Sequence, residues 1–321
     1  MARHASHPWR ARFCLVLVAL AMLRSATVAD ALPPAPAAEG TAGANRLPVS
    51  GGVLAAAPLR PADAQDLLPR LERITRSAPG RISVWYYDLT RHEYFGLNAD
   101  EVYTAASTVK VLIATYLYHL AATGQVSLDE PVAVYSVDWK QGSGILEGVP
   151  DGTRLSRREL ARLMLVHSDN TAANALLRTL GVQPMVRYFR SLGIRYGTAE
   201  MQTPRQLWQH NRIAPQDLGM VLRNVWEAAR RSPEPWAEML AFMRQSQTKS
   251  RIPSGLPPDV PVANKTGSKE TFFHDAAIVL DRHPYVLVVM TEGFTSATAS
   301  HWIGSVSREV WRWHGRRWAT P

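Results

Sequence analysis

A chain of 321 residues, 46% of them hydrophobic, is long enough to bury one large core or two lobes. Its formal charge of +9 comes from scattered arginines with no aromatic–basic interleave, which gives no support to nucleic-acid binding. The only cysteine, Cys14, excludes a disulfide framework, and the ten histidines show no His-x-x-x-His spacing, so no thiolate site, metal or other cofactor is expected.

Arg3, Arg10 and Arg12 precede an apolar run, Phe13 to Leu23, that is too short to span a bilayer as a helix. Ala29-Asp30-Ala31 then offers small residues for cleavage. Residues 1–31 are expected to be a secretory signal peptide, which places the protein in the periplasm or outside the cell. An uncleaved signal serving as a membrane tether is the alternative. Cys14 lies in no Leu-small-small-Cys context, so no lipid anchor is expected. Removing residues 1–31 takes four Arg and one Asp and leaves a charge of +6, enough for a weak attraction to anionic wall polymers. Residues 32–63 are rich in Pro, Ala and Gly with few large apolar side chains, and read as a disordered linker.

The folded domain is expected over 64–321, as a monomer. Leu67, Leu71 and Ile74 share one helical face, which Pro79-Gly80 closes. Ile82 to Leu89 and Tyr94-Phe95 read as a hairpin across Thr90-Arg91-His92. Helical periodicity then dominates to about Arg244. Val109, Leu112, Ile113, Tyr116 and Leu120 form one stripe, closed by Gly124. Leu160, Leu163, Met164 and His167 form a second, and Leu218 to Ala229 a third. Strand signals return at Pro261–Asn264, at Asp275–Leu280 and at Tyr285–Thr291, the last two joined by Asp281-Arg282-His283-Pro284. Trp302, Ile303, Val306 and Val310 give a closing helix. The expected class is α+β: an antiparallel sheet built from both chain ends with flanking helices (64–104 and 250–321), and an inserted all-helical lobe (105–249).

Three short motifs carry the chemistry. In Ser107-Thr108-Val109-Lys110, residues three apart share a helix face, so the lysine amine can reach the serine hydroxyl. A serine needs a base to become a nucleophile, and a lysine serves when burial and positive neighbours depress its pKa. The competing role for Ser107 is a helix cap. Ser246-Gln247-Thr248-Lys249 repeats the spacing at the end of a helix, so the spacing alone decides nothing. In Ser168-Asp169-Asn170, Ser168 is a candidate proton relay and Asn170 a donor to a substrate amide, while Ser168 or Asp169 equally suits the cap of a helix running to Leu180. In Lys265-Thr266-Gly267-Ser268, Lys265 would attract a substrate carboxylate and tune the relay serine, Thr266 would donate a hydroxyl, and Gly267 would admit a ligand to the backbone. The amides of Ser268 and Ser107 are candidates for an oxyanion hole. The alternative is a surface turn followed by a strand.

Ala105-Ala106-Ser107-Thr108-Val109-Lys110, Ser168-Asp169-Asn170-Thr171-Ala172-Ala173-Asn174 and Lys265-Thr266-Gly267 follow one another at separations of 61 and 97 residues. In this order they resemble the class A β-lactamases, and with them the serine penicillin-binding proteins. The resemblance runs from about Leu67 to Trp313. It implies a site between two lobes and acylation of a serine by a β-lactam or a D-Ala-D-Ala-like amide. Gly142-Ser143-Gly144-Ile145-Leu146 is similar to the cleft-rim loop of such hydrolases, or is an ordinary Gly-rich turn.

One part of the pattern is missing. The family carries a glutamate that holds the deacylating water, with an asparagine four residues later, in a loop that falls here between Gly193 and Pro215. From Asn170 to Gln216 the only acidic residue is Glu200, and Pro204 stands four residues on. Glu200 is either a displaced base or a solvated loop charge. The expectation is a serine hydrolase that opens β-lactam rings through Ser107, Lys110, Ser168 and Lys265. A D,D-peptidase or slow esterase on the same scaffold is the first alternative, and a non-catalytic wall-binding or β-lactam-sensing domain the second.

Overall fold

The computed structural model describes residues 59–196 and 200–319. The signal-peptide reading of 1–31 and most of the linker reading of 32–63 fall outside them. The linker does not reach Asp63, however. Arg60–Pro61 (β1) pairs in parallel with the first residues of β3, and Ala64 is already buried.

The helix carrying Leu71 spans Leu68–Ser77 (α1), and the hairpin comprises Arg81–Asp88 (β2) and Glu93–Leu97 (β3). A two-residue strand, Tyr103–Thr104 (β4), leads through a 3-10 turn at Ala106–Thr108 into Val109–Ala122 (α2). Eleven of the fourteen residues of α2 are buried, so it is a central helix and not the one-sided amphipathic helix read from the stripe. Pro131–Val134 (β5) and Thr153–Ser156 (β6) pair with each other. The helices Arg157–Val166 (α3), Asn170–Leu180 (α4), Val182–Ser191 (α5) and Pro204–His210 (α6) follow. Arg212–Ile213 (β7) pairs back onto β4. Pro215–Arg231 (α7) and Pro233–Arg244 (α8) complete the helical part. The chain then returns as Val262–Lys269 (β8), Phe272–Val279 (β9) and Tyr285–Glu292 (β10), and ends in Ser296–Ala319 (α9).

The main sheet runs β1-β3-β2-β10-β9-β8, antiparallel except at β1, and draws its strands from both ends of the domain. Strand residues alternate between two cores, as the period of two requires. Ile82, Val84, Tyr86, Tyr285, Leu287 and Val289 pack with α1 and α9, while Trp85, Tyr87, Val286, Val288 and Met290 face the helical part. The helical lobe therefore shares one continuous core with the inner face of the sheet. On β8, Ala263 belongs to that inner core, so the strand's alternation also turns Lys265 towards the helices. No helix of the described residues is long and apolar enough to cross a membrane.

Candidate active site

The three motifs meet where the start of α2, the start of α4 and the edge strand β8 converge. Ser107 is half-buried in the 3-10 turn and caps neither that turn nor α2. Its Oγ instead lies within hydrogen-bond distance of Lys110 Nζ, at 3.1 Å. The second Ser-x-x-Lys does not do this. Lys249 donates to Arg244 O at 2.9 Å and Asn264 Oδ1 at 3.1 Å, bracing the end of α8 against β8.

Lys110 is fully buried, and its Nζ also lies 2.6 Å from Ser168 O, 2.6 Å from Asn170 Oδ1 and 3.0 Å from Ser168 Oγ. Two of these four partners, the Ser168 carbonyl and the Asn170 amide oxygen, can only accept. The Asn170 orientation is fixed because Nδ2 donates to Gln141 O at 2.9 Å. A neutral amine has two hydrogens and one lone pair. The two short contacts take both hydrogens, and the lone pair is left to accept from one serine hydroxyl at a time, Ser107 at 3.1 Å or Ser168 at 3.0 Å. Burial, then the charge of Lys265, hold Lys110 well below the usual lysine range, which favours the neutral amine. This arrangement can take a proton from Ser107.

Lys265 Nζ reaches Ser168 Oγ at 3.0 Å and Thr266 O at 2.9 Å. Ser168 Oγ thus stands between two lysines. Burial, only partly offset by Asp275, lowers Lys265 to about 7, so it carries a variable charge near neutrality. Thr266 is buried beside it. Gly267 serves a different purpose from the one read in the sequence. A Cβ there would sit 2.9 Å from Ala105 O and 3.1 Å from Thr108 N, so its absence lets β8 approach the Ser107 turn rather than a ligand. Ser268 is exposed, and its Oγ accepts from Arg251 Nη2 at 2.6 Å, which leaves the hydroxyl hydrogen to donate elsewhere.

The Ser-Asp-Asn motif divides its labour. Asp169 caps α4, with Oδ1 accepting from Ala172 N at 2.8 Å. Its Oδ2 accepts from Ile145 N and Leu146 N at 2.6 and 2.9 Å, fastening the Gly142–Leu146 loop to the site. Gly144 is required there, because its φ is +113° and a Cβ would lie 2.2 Å from Asp169 Oδ2. The loop is a rim and not a free turn: Ser143 Oγ donates to Ser168 O at 2.6 Å. Ser168 and Ala106 both hold positive φ, +57° and +48°, a conformation costing non-glycine residues about 1–3 kcal/mol each.

Three supporting residues lie outside the motifs. Buried Asn211 donates from Nδ2 to Ala106 O at 3.1 Å, and its own carbonyl accepts from Ala105 N at 2.9 Å, clamping the strained residue before Ser107. Buried Arg251 donates to Gly267 O at 2.8 Å as well as to Ser268, fixing the end of β8. Trp208, on α6, places its ring centroid 5.6 Å from Lys110 Nζ and 5.2 Å from Lys140 Nζ, and donates from Nε1 to Asn174 Oδ1 at 2.8 Å. The Thr203-x-x-Gln206 capping box was legible as a helix start within the presumed loop, and would have located Trp208 on a helix. Glu200 is exposed in the turn before that helix, and Pro204 is the first residue of the helix. No group of three or more His, Cys, Asp or Glu able to hold a metal occurs among the described residues.

The profile of the Beta-lactamase enzyme family matches residues 66–314. Among curated proteins, beta-lactamase CTX-M-8 of Citrobacter amalonaticus is 28% identical over 246 residues, which is 74% of this chain and 84% of that protein. The solved structure of PBP-A aligns with a TM-score of 0.74 at 24% identity, covering 81% of this chain and 99% of that one. An ancestral class A beta-lactamase aligns with a TM-score of 0.70 at 24% identity, covering 77% and 99%. At these identities the two structures establish the shared fold.

Proposed function

The chain belongs to the Beta-lactamase enzyme family and is a serine β-lactamase-like hydrolase, and we propose that it opens β-lactam rings through an acyl-enzyme on Ser107. The observation that carries this reading is the position of Lys110 Nζ, 3.1 Å from Ser107 Oγ and 2.6 Å from each of two acceptor-only oxygens, Ser168 O and Asn170 Oδ1. Ser107 Oγ attacks the lactam carbonyl while Lys110 takes its proton. The C–N bond breaks as Ser168, bridging Lys110 and Lys265, passes a proton to the leaving nitrogen. Lys265 in its charged form attracts the substrate carboxylate, with Thr266 and Ser268 as further donors. Asn170 holds the acyl amide. The amides of Ser107 and Ser268 take the oxyanion, since β8 closes on the Ser107 turn through Gly267.

The observed surroundings of Lys110 favour slow release of the acyl group, as in a penicillin-binding D,D-peptidase. An indole, Trp208, faces Lys110, and Glu200 is solvent-exposed. Residues 1–31 are proposed as a secretory signal, on the basic start, short apolar core and small residues of the sequence. N-terminal sequencing of exported protein tests that; a mature chain retaining Phe13–Leu23 would contradict it.

The central test is incubation with a chromogenic cephalosporin, followed by intact-mass and peptide mapping. A β-lactam adduct on Ser107, and its absence in Ser107→Ala, are expected. No turnover together with no adduct would remove the reading.

A further inference from the structure

We propose that the cavity beyond Trp208 is an anion-selecting subsite, so that the site prefers acyl donors carrying a second carboxylate on the acyl side chain; this rests on the Ser107 acyl-enzyme reading. The cavity measures about 680 Å³ and lies between α6, the side of α4 carrying Asn174 and Arg178, the segment Val137–Lys140 and the end of β8. Its lining includes four cationic side chains, Lys140, Arg178, Arg205 and Lys269, and one carboxylate, Asp138. Asp138 is committed to Arg178, which donates to both its oxygens at 2.8 and 2.9 Å. Lys140 and Arg205 have no ion pair among the described residues. Lys269 approaches only Glu270, at 3.9 Å with both side chains exposed, a pair that neutralises little. A concave wall with this surplus of positive charge concentrates anions.

The walls also fit an apolar stem behind the charge. Trp208 and Trp139 both line the cavity, and Trp139 and Val137 are 41% and 76% exposed. Aromatic faces bury a ring or alkyl stem while the cations around them meet its charged end.

The topology leads a substrate there. β8 is the edge of the main sheet, free to pair with an extended ligand. Lys265 and Lys269 stand four residues apart on it, roughly 13 Å at the usual strand rise. In the proposed binding mode a β-lactam sets its ring carboxylate at Lys265 and its acyl side chain along β8 towards Lys269. Asn170 and Asn174, one turn apart on α4, track the opposite side, and Asn174 lines the cavity itself. Trp208 links the two compartments, its ring centroid 5.6 Å from Lys110 Nζ and 5.2 Å from Lys140 Nζ.

The test compares benzylpenicillin with its α-carboxy derivative, which differ only by the side-chain carboxylate, as second-order rate constants for acylation of the full chain. The carboxylated compound is expected to react at least about tenfold faster at low ionic strength, with the advantage shrinking in about 0.5 M salt. In Arg205→Glu and, separately, Lys269→Glu, that ratio is expected to fall towards one. Neither side chain touches Ser107 or Lys110, so benzylpenicillin acts as the internal reference for folding. A wild-type ratio of one or less, or a ratio that survives both variants, overturns the proposal. The dissociation constants of both penicillins for Ser107→Ala, read by tryptophan fluorescence, test the subsite without any covalent step. A preserved preference there, with no adduct on the wild type, would fail the acyl-enzyme reading and retain the subsite. Equal binding there would fail the subsite alone.

Discussion

Two surfaces meet at Ser107, and they differ in how completely they are built. On one, Lys110, Ser168, Asn170 and Lys265 are linked by hydrogen bonds of 2.6 to 3.0 Å with both lysines buried, and Ala106 and Ser168 hold strained backbone that Asn211 and Ser143 brace. On the other, the segment from Glu200 to His210 offers an exposed carboxylate and an indole. The first is preorganised for proton transfer from a serine. The second supplies no buried base beside it. On the proposed acyl-enzyme reading, taking an acyl group and releasing it are separate tasks, and the two surfaces furnish them unequally.

The largest expected effect breaks the first surface. Lys110→Met should slow acylation by about 10³-fold, since a positioned base contributes on the order of 10²–10⁴. The wild-type pH profile supplies the companion measurement. Lys110 works unprotonated, so the acylation rate should climb as pH rises through its lowered pKa. Lys265 works charged, so KM for a carboxylate-bearing substrate should rise above about pH 7, where it loses its proton. A flat acid limb in wild type, or an acid limb retained in Lys110→Met, would remove Lys110 as the base.

Gly267→Ala comes next. The added Cβ meets Ala105 O at 2.9 Å, and pushing β8 away should cost about 1–3 kcal/mol in denaturant unfolding and lower acylation more than tenfold. Wild-type acylation in this variant would show that β8 need not approach the Ser107 turn. Asn211→Ala should reduce acylation about tenfold, because Ala106 O and the strained turn lose their clamp. A rate equal to wild type would assign Asn211 to stability alone.

The smallest effects lie on the second surface. Trp208→Ala should change hydrolysis of a preformed Ser107 acyl-enzyme a few-fold, upwards, by admitting water beside Lys110. An unchanged or slower release would acquit the indole. Glu200→Gln should leave that release within about twofold of wild type, as expected of an exposed loop charge. A much larger loss would restore it as the base and erase the contrast between the surfaces.

The sheet and helices were largely legible because their signals are local. The continuous apolar run Tyr285–Met290, the face carrying Leu71 and the turn after Leu89 are set by neighbours a few residues away. The run from Val109 misled in one respect: its stripe reads as amphipathic, but α2 is surrounded on nearly every side. Burial of the remaining faces depends on α3, α7 and α8, which come later in the chain.

The sequence by itself singled out the candidate acylating residues, because the proposed nucleophile, base, relay and carboxylate anchor each sit in a short motif with a fixed order. It also exposed the missing glutamate. Only the tertiary structure decided between equal claims within those motifs. It made Asp169 the cap and left Ser168 to the lysines, and it turned Gly267 from a ligand contact into a packing contact. It also brought Asn211, Arg251 and Trp208 to the site. These choices are beyond local reading because each depends on atoms distant in the chain, and burial, which sets the pKa of Lys110, is a property of the assembled fold.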